Sequence, residues 1–154
     1  MSKQSFKPIT LKRIIETCSL AINSRGITPH SLEKNLSVSK RRAKEILSEM
    51  TKMKLLIKAN EVFKASLDAI KIIDAFNQEN WLIIHEILYK NYEFYQTFID
   101  TLKKYGSKGK GLTREELLLI LRKGKLKFNV VMLDVLSDWA ERLGIVQHNL
   151  YEGR

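Results

Sequence analysis

At Leu55 the hydrophobic period of this 154-residue chain switches from helical to extended. Upstream, Leu11, Ile14, Ile15, Cys18 and Ile22 fall on one helical stripe, with Cys18 inside it as a core residue. Gly26 stops that helix. Thr28-Pro29 supplies an N-cap followed by proline at the first helical position, and Leu32 and Leu36 face inward from a short second helix. Ser37-Val38-Ser39 makes a turn, and Ser39 caps a third helix over 39–54. Two short apolar runs then follow, Leu55–Ala59 and Val62–Ala65, with Asn60-Glu61 between them as a two-residue hairpin turn.

Three short helices followed by a hairpin is the order of a winged helix-turn-helix. The segment GITPHSLEKNLSVSKRRAKEILSEMTKMKLLIK resembles archaeal and bacterial winged-helix regulators in its helix, turn and helix spacing and in the apolar strand after the third helix. The resemblance covers residues 8–66 and rests on many weak positions, so it speaks to fold before function. It implies binding of double-stranded DNA, with the helix at 39–54 in the major groove.

Charge points the same way. Residues 1–77 carry 15 Lys and Arg against 7 Asp and Glu, whereas residues 78–154 carry 12 against 10. A basic half suits an acidic partner, most often nucleic acid or an anionic membrane. The single cysteine, Cys18, rules out a disulfide within the chain and fits a reducing compartment. No run approaches the ~18 apolar residues of a membrane span, and MSKQSFKPIT has no apolar signal-peptide core. The expected location is the cytoplasm, on the nucleoid when bound, with no membrane partner.

Residues 67–106 predict two or three more helices, a linker and the expected contact of a homodimer. Its aromatics Tyr89, Tyr92, Phe94, Tyr95 and Phe98 suit a core or dimer seam better than base stacking. A two-fold pair would set two recognition helices on successive major grooves. The last third then echoes the first. Gly26-Ile27-Thr28, Leu32 and Leu36 correspond to Gly111-Leu112-Thr113, Leu117 and Leu121 at an offset of 85. Leu47–Met50 and Leu56-Ile57 correspond to Leu136–Trp139 and Ile145-Val146 at 89, which implies a four-residue insertion near Lys123-Gly124-Lys125. Thr113 with Glu116 forms a capping box.

The expected fold is therefore mostly α with small β-hairpins: two winged helix-turn-helix units joined by a helical linker. Their bounds are 1–66, 67–106 and 107–154, with the second unit's first helix within 91–106. A first wing strand is expected at Ile145–Tyr151, and the missing second strand suggests a chain continuing past Arg154.

On the helix 39–54, Ala43, Ile46, Leu47 and Met50 set the core direction, so Arg41, Lys44, Glu45, Ser48 and Lys52 face outward. Arg41 and Lys44 sit where such helices meet base edges; Lys40 and Arg42 flank them for phosphates, and the amides near Ser39 favour another. Lys58 and Lys64 on the hairpin are expected at the DNA backbone. Three cations in a first helical turn oppose the helix dipole by ~0.3–1 kcal/mol each, which a DNA-binding role explains. The second copy reverses this. With Met132, Leu136, Trp139 and Leu143 inward, helix 129–143 shows Asp134, Ser137, Asp138 and Glu141, with Val130, Asp134 and Glu141 in place of Arg41, Glu45 and Lys52. That acidic face suits a protein partner, leaving only loop lysines Lys108, Lys110, Lys123, Lys125 and Lys127 for DNA.

The chain suggests no enzyme, metal or cofactor. GSKGKGLT at 106–113 nearly matches a phosphate-binding loop, but Leu112 stands where the lysine belongs. His30, His85, His148 and Cys18 lack metal-ligand spacing, and Glu115-Glu116 is explained by capping. The expected function is transcription regulation. Two other readings are an N-terminal DNA- or protein-recruitment module of a longer multidomain protein, and a protein scaffold in a transcription or replication complex. Salt-dependent DNA binding separates the first two from the scaffold.

Overall fold

Side-chain oxygens decide where most of the helices begin. The computed structural model describes residues 7–106 and 113–145. Its elements are α1 (Leu11–Asn23), α2 (Pro29–Leu36), α3 (Lys40–Lys52), β1 (Leu56–Ala59), β2 (Val62–Ala65), α4 (Leu67–Asn77), α5 (Trp81–Asn91), α6 (Glu93–Gly106), α7 (Arg114–Arg122) and α8 (Val130–Arg142). Thr10, Thr28, Ser39 and Ser66 accept from the backbone N–H groups of Arg13, Ser31, Arg42 and Ala69 at 3.2, 3.2, 3.0 and 3.2 Å. Thr113 and Asn129 do the same for α7 and α8. Each cap satisfies a donor that the helix itself leaves open. Among the described residues the chain is mostly helical, with one two-stranded antiparallel sheet.

The turn from α1 to α2 depends on Gly26. Its φ of 135° lies in a region that L side chains rarely adopt, and a Cβ there would meet Val62 Cγ1 at 2.5 Å. This close approach lets Ile27 exchange two backbone hydrogen bonds of 2.8 Å with Phe63, extending the hairpin by one residue on its β2 side. Asn60 takes a left-handed φ of 61° in the hairpin turn, and Lys58 pairs with Phe63 and Ile57 with Lys64. Ser66 then ties three elements together. Its hydroxyl donates to Lys54 O at 2.7 Å, its amide donates to Leu55 O at 3.0 Å, and it caps α4.

The N-terminal core gathers Ile14, Cys18, Ile27, Leu32, Ile46 and Met50, all buried. Each such aliphatic side chain contributes roughly 1.5–3 kcal/mol on burial. The same core continues through α4, α5 and α6 into α7 and α8. Tyr92, Phe94, Tyr95 and Phe98 are buried in it, Phe94 against Phe128 and Tyr95 against Trp139. The aromatic excess of the central segment is thus used within one chain, where the sequence left a dimer seam open.

The end of α8 repeats the end of α3, in a register one residue away from the expected one. Met53, Lys54 and Leu55 donate to Glu49, Thr51 and Met50; Leu143, Gly144 and Ile145 donate to Trp139, Glu141 and Ala140. Both pairings follow an offset of 90, and so do the caps Ser39 and Asn129. Ala43, Ile46, Leu47, Glu49 and Met50, buried in α3, map at 90 onto the buried Leu133, Leu136, Ser137, Trp139 and Ala140 of α8. The turn before α8 is therefore five residues longer than its counterpart, not four. Ile145 is a bend at the limit of the described residues, and the rest of the expected strand to Tyr151 lies outside them. No helix among the described residues is long and apolar enough to cross a membrane.

Candidate nucleic-acid interface

The outward face of α3 begins at its cap. Ser39 Oγ is occupied by the Arg42 amide, so the serine hydroxyl acts as a cap; the other free amides of the first turn remain for an anion. Lys40, Arg41, Lys44 and Ser48 are exposed along this face. The Arg41 side chain is 88% exposed, with Nε 3.5 Å from Glu45 Oε2. An exposed pair of this kind contributes ~0.2–1 kcal/mol, so Arg41 can leave Glu45 for another partner at small cost.

Arg42 differs from expectation. Its guanidinium meets Glu45 Oε1 at 3.1 Å and donates to the carbonyl of Pro8. Trp139 Nε1 donates to the neighbouring Ile9 O at 2.8 Å. Residues 8–9 are thus a strap held between α3 and α8, and Arg42 is one of its two clamps, not a free phosphate contact. The strap brings Lys7 to the outward face of α3. Lys7, Lys40, Arg41, Lys44, Glu45, Ser48 and Lys52 line one shallow cleft of about 740 Å³. Sequence reasoning missed Lys7, because no local pattern reveals that Pro8 and Ile9 are pinned by residues far along the chain.

The two hairpin lysines part company. Lys58 lies over the Phe63 ring at 5.6 Å and lines a groove of about 490 Å³ with Pro29, Lys44, Ser48, Lys52 and Glu61, continuous with the face of α3. Lys64 pairs with Ile57 and so projects from the hairpin's other side. The structure brings Lys58 to the site and leaves Lys64 away from it. Lys52 is partly engaged, with Nζ 3.1 Å from Glu49 Oε1.

Glu49 is the second residue that sequence reasoning missed. It is fully buried on the inner side of α3 and accepts from the Tyr92 hydroxyl. Burial first, and then the Glu49 carboxylate, push the Tyr92 phenol well above its ordinary pKa, so it stays a donor. Tyr92 also faces Trp139, ring centroids 5.9 Å apart, so the equivalent positions of α3 and α8 meet at one tyrosine.

The face of α8 is less acidic than its sequence suggests. At the observed register Val131, Asp134, Asp138 and Arg142 replace Arg41, Lys44, Ser48 and Lys52. Asp134 pairs with Arg114 and Asp138 with Arg142, while Val130 and Val131 are exposed. Ser137, expected outside, is buried. The first turn is apolar and the aspartates are engaged within the chain, so the free acidic surface expected there is not present. Lys123, Lys125 and Lys127 are exposed between α7 and α8; Lys108 and Lys110 lie outside the described residues.

The buried groups elsewhere have structural partners. Burial pushes the Cys18 thiol up to about 12, far from a reactive thiolate. His85 Nδ1 lies 2.9 Å from the Tyr95 hydroxyl in the core. His30 is exposed, and His148 lies outside the described residues. Comparison with family models, with curated proteins and with solved structures gives no match to this chain.

Proposed function

We propose that this chain binds double-stranded DNA and regulates transcription, residues 1–66 acting as a winged helix-turn-helix with α3 in the major groove. One observation carries the reading: the N-terminal outward face of α3 is an exposed, basic and polar surface of Lys40, Arg41, Lys44 and Ser48, flanked by Lys7 on the strap and Lys58 on the hairpin. The order of α1, α2, α3 and the hairpin supports it, as does the one-residue pairing of Ile27 with β2. A helix of ordinary width fits the major groove with such residues toward the base edges.

The roles then divide by reach. Arg41, held to Glu45 only by an exposed pair, has the fork needed for bidentate contact with guanine, and Lys44 lies about one turn further along. Lys7, Lys40 and Lys58 neutralise phosphates on either side, and the α3 amides take another. Trp139 of α8 and Tyr92, between α5 and α6, support the reader through the Trp139–Ile9 and Tyr92–Glu49 hydrogen bonds. Fluorescence anisotropy on a random-sequence duplex between about 50 and 200 mM salt tests the reading. Three to four phosphate contacts predict a slope of log K against log salt of roughly −3 to −4. A slope near zero, or no binding at low salt, would remove DNA as the partner and favour a protein scaffold.

A further inference from the structure

The first turn of α5 is apolar on every side. Trp81, Leu82, Ile83 and Ile84 are consecutive; Ile84 is buried in the core, but Leu82 is 56% exposed and Trp81 and Ile83 are also exposed. A helix turn apolar all round expects cover all round. Phe76, exposed at the end of α4, stands edge-on to Trp81 with ring centroids 5.9 Å apart, which enlarges the uncovered corner. Clustered exposed apolar side chains of this size mark a contact surface.

Beside the ridge lies a groove of about 560 Å³. Leu11, Ile15, Phe76 and Ile84 give it apolar walls, Trp81 separates it from the ridge, and Lys12, Glu16 and Arg142 stand at the rim. Ridge and groove therefore share a boundary residue and are opposite in shape. They are also opposite in charge. The ridge is accompanied by the exposed Glu79 and Glu86, while the rim offers the exposed Lys12, with Glu16 held by Arg13 at 3.6 Å and Arg142 by Asp138 at 2.8 Å.

A surface holding both halves of a complementary pair side by side meets the requirement of a two-fold interface, in which one patch serves both partners. A small apolar ligand would fill the groove and leave Leu82 and Ile83 in water, so it accounts for half of the surface. We propose that two copies of this chain associate about the α4–α5 corner, Leu82 and Ile83 of each seated in the groove of the other, with Glu86 facing Lys12. The interface uses none of the residues assigned to DNA, so association and DNA binding succeed or fail separately.

Sedimentation equilibrium of the full chain without DNA, from about 1 to about 100 μM, tests this by mass action. The mean mass should climb toward twice 17.9 kDa. Tryptophan emission should shift to the blue in step, because Trp81 is partly exposed and Trp139 is already buried. Leu82→Glu and Ile83→Glu should each abolish the rise. Lys12→Glu and Glu86→Lys should each weaken association by about tenfold, and the double variant should restore it. All four positions are exposed or at a rim, and far-UV circular dichroism confirms that each variant is folded. A chain that stays monomeric throughout overturns the proposal, whether or not its Trp81 emission responds to octanoate; a response would make the groove a ligand site. A dimer indifferent to Leu82→Glu, or a charge swap that fails to restore association, also overturns it.

Discussion

Tyr92→Phe removes one oxygen and takes the Tyr92 donor from one oxygen of a buried carboxylate. The Tyr92 hydroxyl donates to Glu49 Oε2, and Glu49 is 0% exposed. Its other oxygen keeps Lys52, whose side chain is 44% exposed. Water cannot readily replace the lost donor, and a hydrogen bond to a charged group contributes ~1.5–3 kcal/mol. The expected destabilisation is about 2 kcal/mol, or a fall in Tm of roughly 4–8 °C for a chain of this size. Glu49→Leu removes the charge but leaves a buried hydroxyl without its acceptor. Replacing both partners by apolar groups relieves each defect, so the double variant Glu49→Leu/Tyr92→Phe should recover about 1–3 kcal/mol relative to additivity. Urea denaturation of the four proteins gives the cycle directly. Tyr92→Phe within about 0.5 kcal/mol of wild type, or strict additivity, would refute the claim that this hydrogen bond holds the inner face of α3.

Gly26→Ala should destabilise by about 1–3 kcal/mol, because its φ is 135° and the new Cβ would meet Val62 Cγ1 at 2.5 Å. Gly144→Ala, with φ 73° and open space around it, should cost no more than about 1–2 kcal/mol; calorimetry that finds the reverse order contradicts the Gly26 argument. Desolvation, with Lys103 adding to it against Glu86, lowers the pKa of His85 below 6.5. The unfolded chain then binds more protons between that lowered value and 6.5, so stability should fall as pH drops through this window, and His85→Gln should flatten the loss in urea melts at pH values on either side of it. An unchanged slope would show that His85 is not the group responsible. For DNA, Lys58→Ala should weaken all duplexes about equally and reduce the salt slope by ~1, whereas Lys64→Ala should leave both nearly unchanged; equal effects from the two would contradict the hairpin orientation.

The elements were legible in the sequence where a local signal specifies them. Thr28-Pro29, Ser39 and the Thr113–Glu116 box mark helix starts with the side chains that cap them. The inward set Ala43, Ile46, Leu47 and Met50 followed from helical period alone. What escaped depends on partners distant in sequence. Glu49 is an acid where acids are rarely buried, and its reason is a tyrosine 43 residues away. That same residue misled the repeat alignment. Matching Leu47–Met50 to Leu136–Trp139 by residue type put Glu49 opposite Asp138, whereas burial sets it opposite Trp139. Arg42 looked like a phosphate ligand because Pro8, its acceptor, belongs to a segment with no periodicity of its own. Lys64 looked equivalent to Lys58 until strand register put them on opposite sides of the hairpin.

The central claim is that the outward face of α3 reads DNA, and a selected binding site offers the most direct test. Enrich a duplex from a random pool with the wild-type chain, then measure the affinity of Arg41→Ala/Lys44→Ala for that duplex and for the unselected pool at one salt concentration. Both side chains are exposed, Arg41 at 88%, so the variant should fold as wild type does. It should lose ~1–3 kcal/mol on the selected site for Arg41 alone, and more for the pair, with a smaller loss on the pool, so that the ratio between the two collapses. Wild-type affinity and an unchanged ratio would contradict the claim and move any DNA-reading surface off α3.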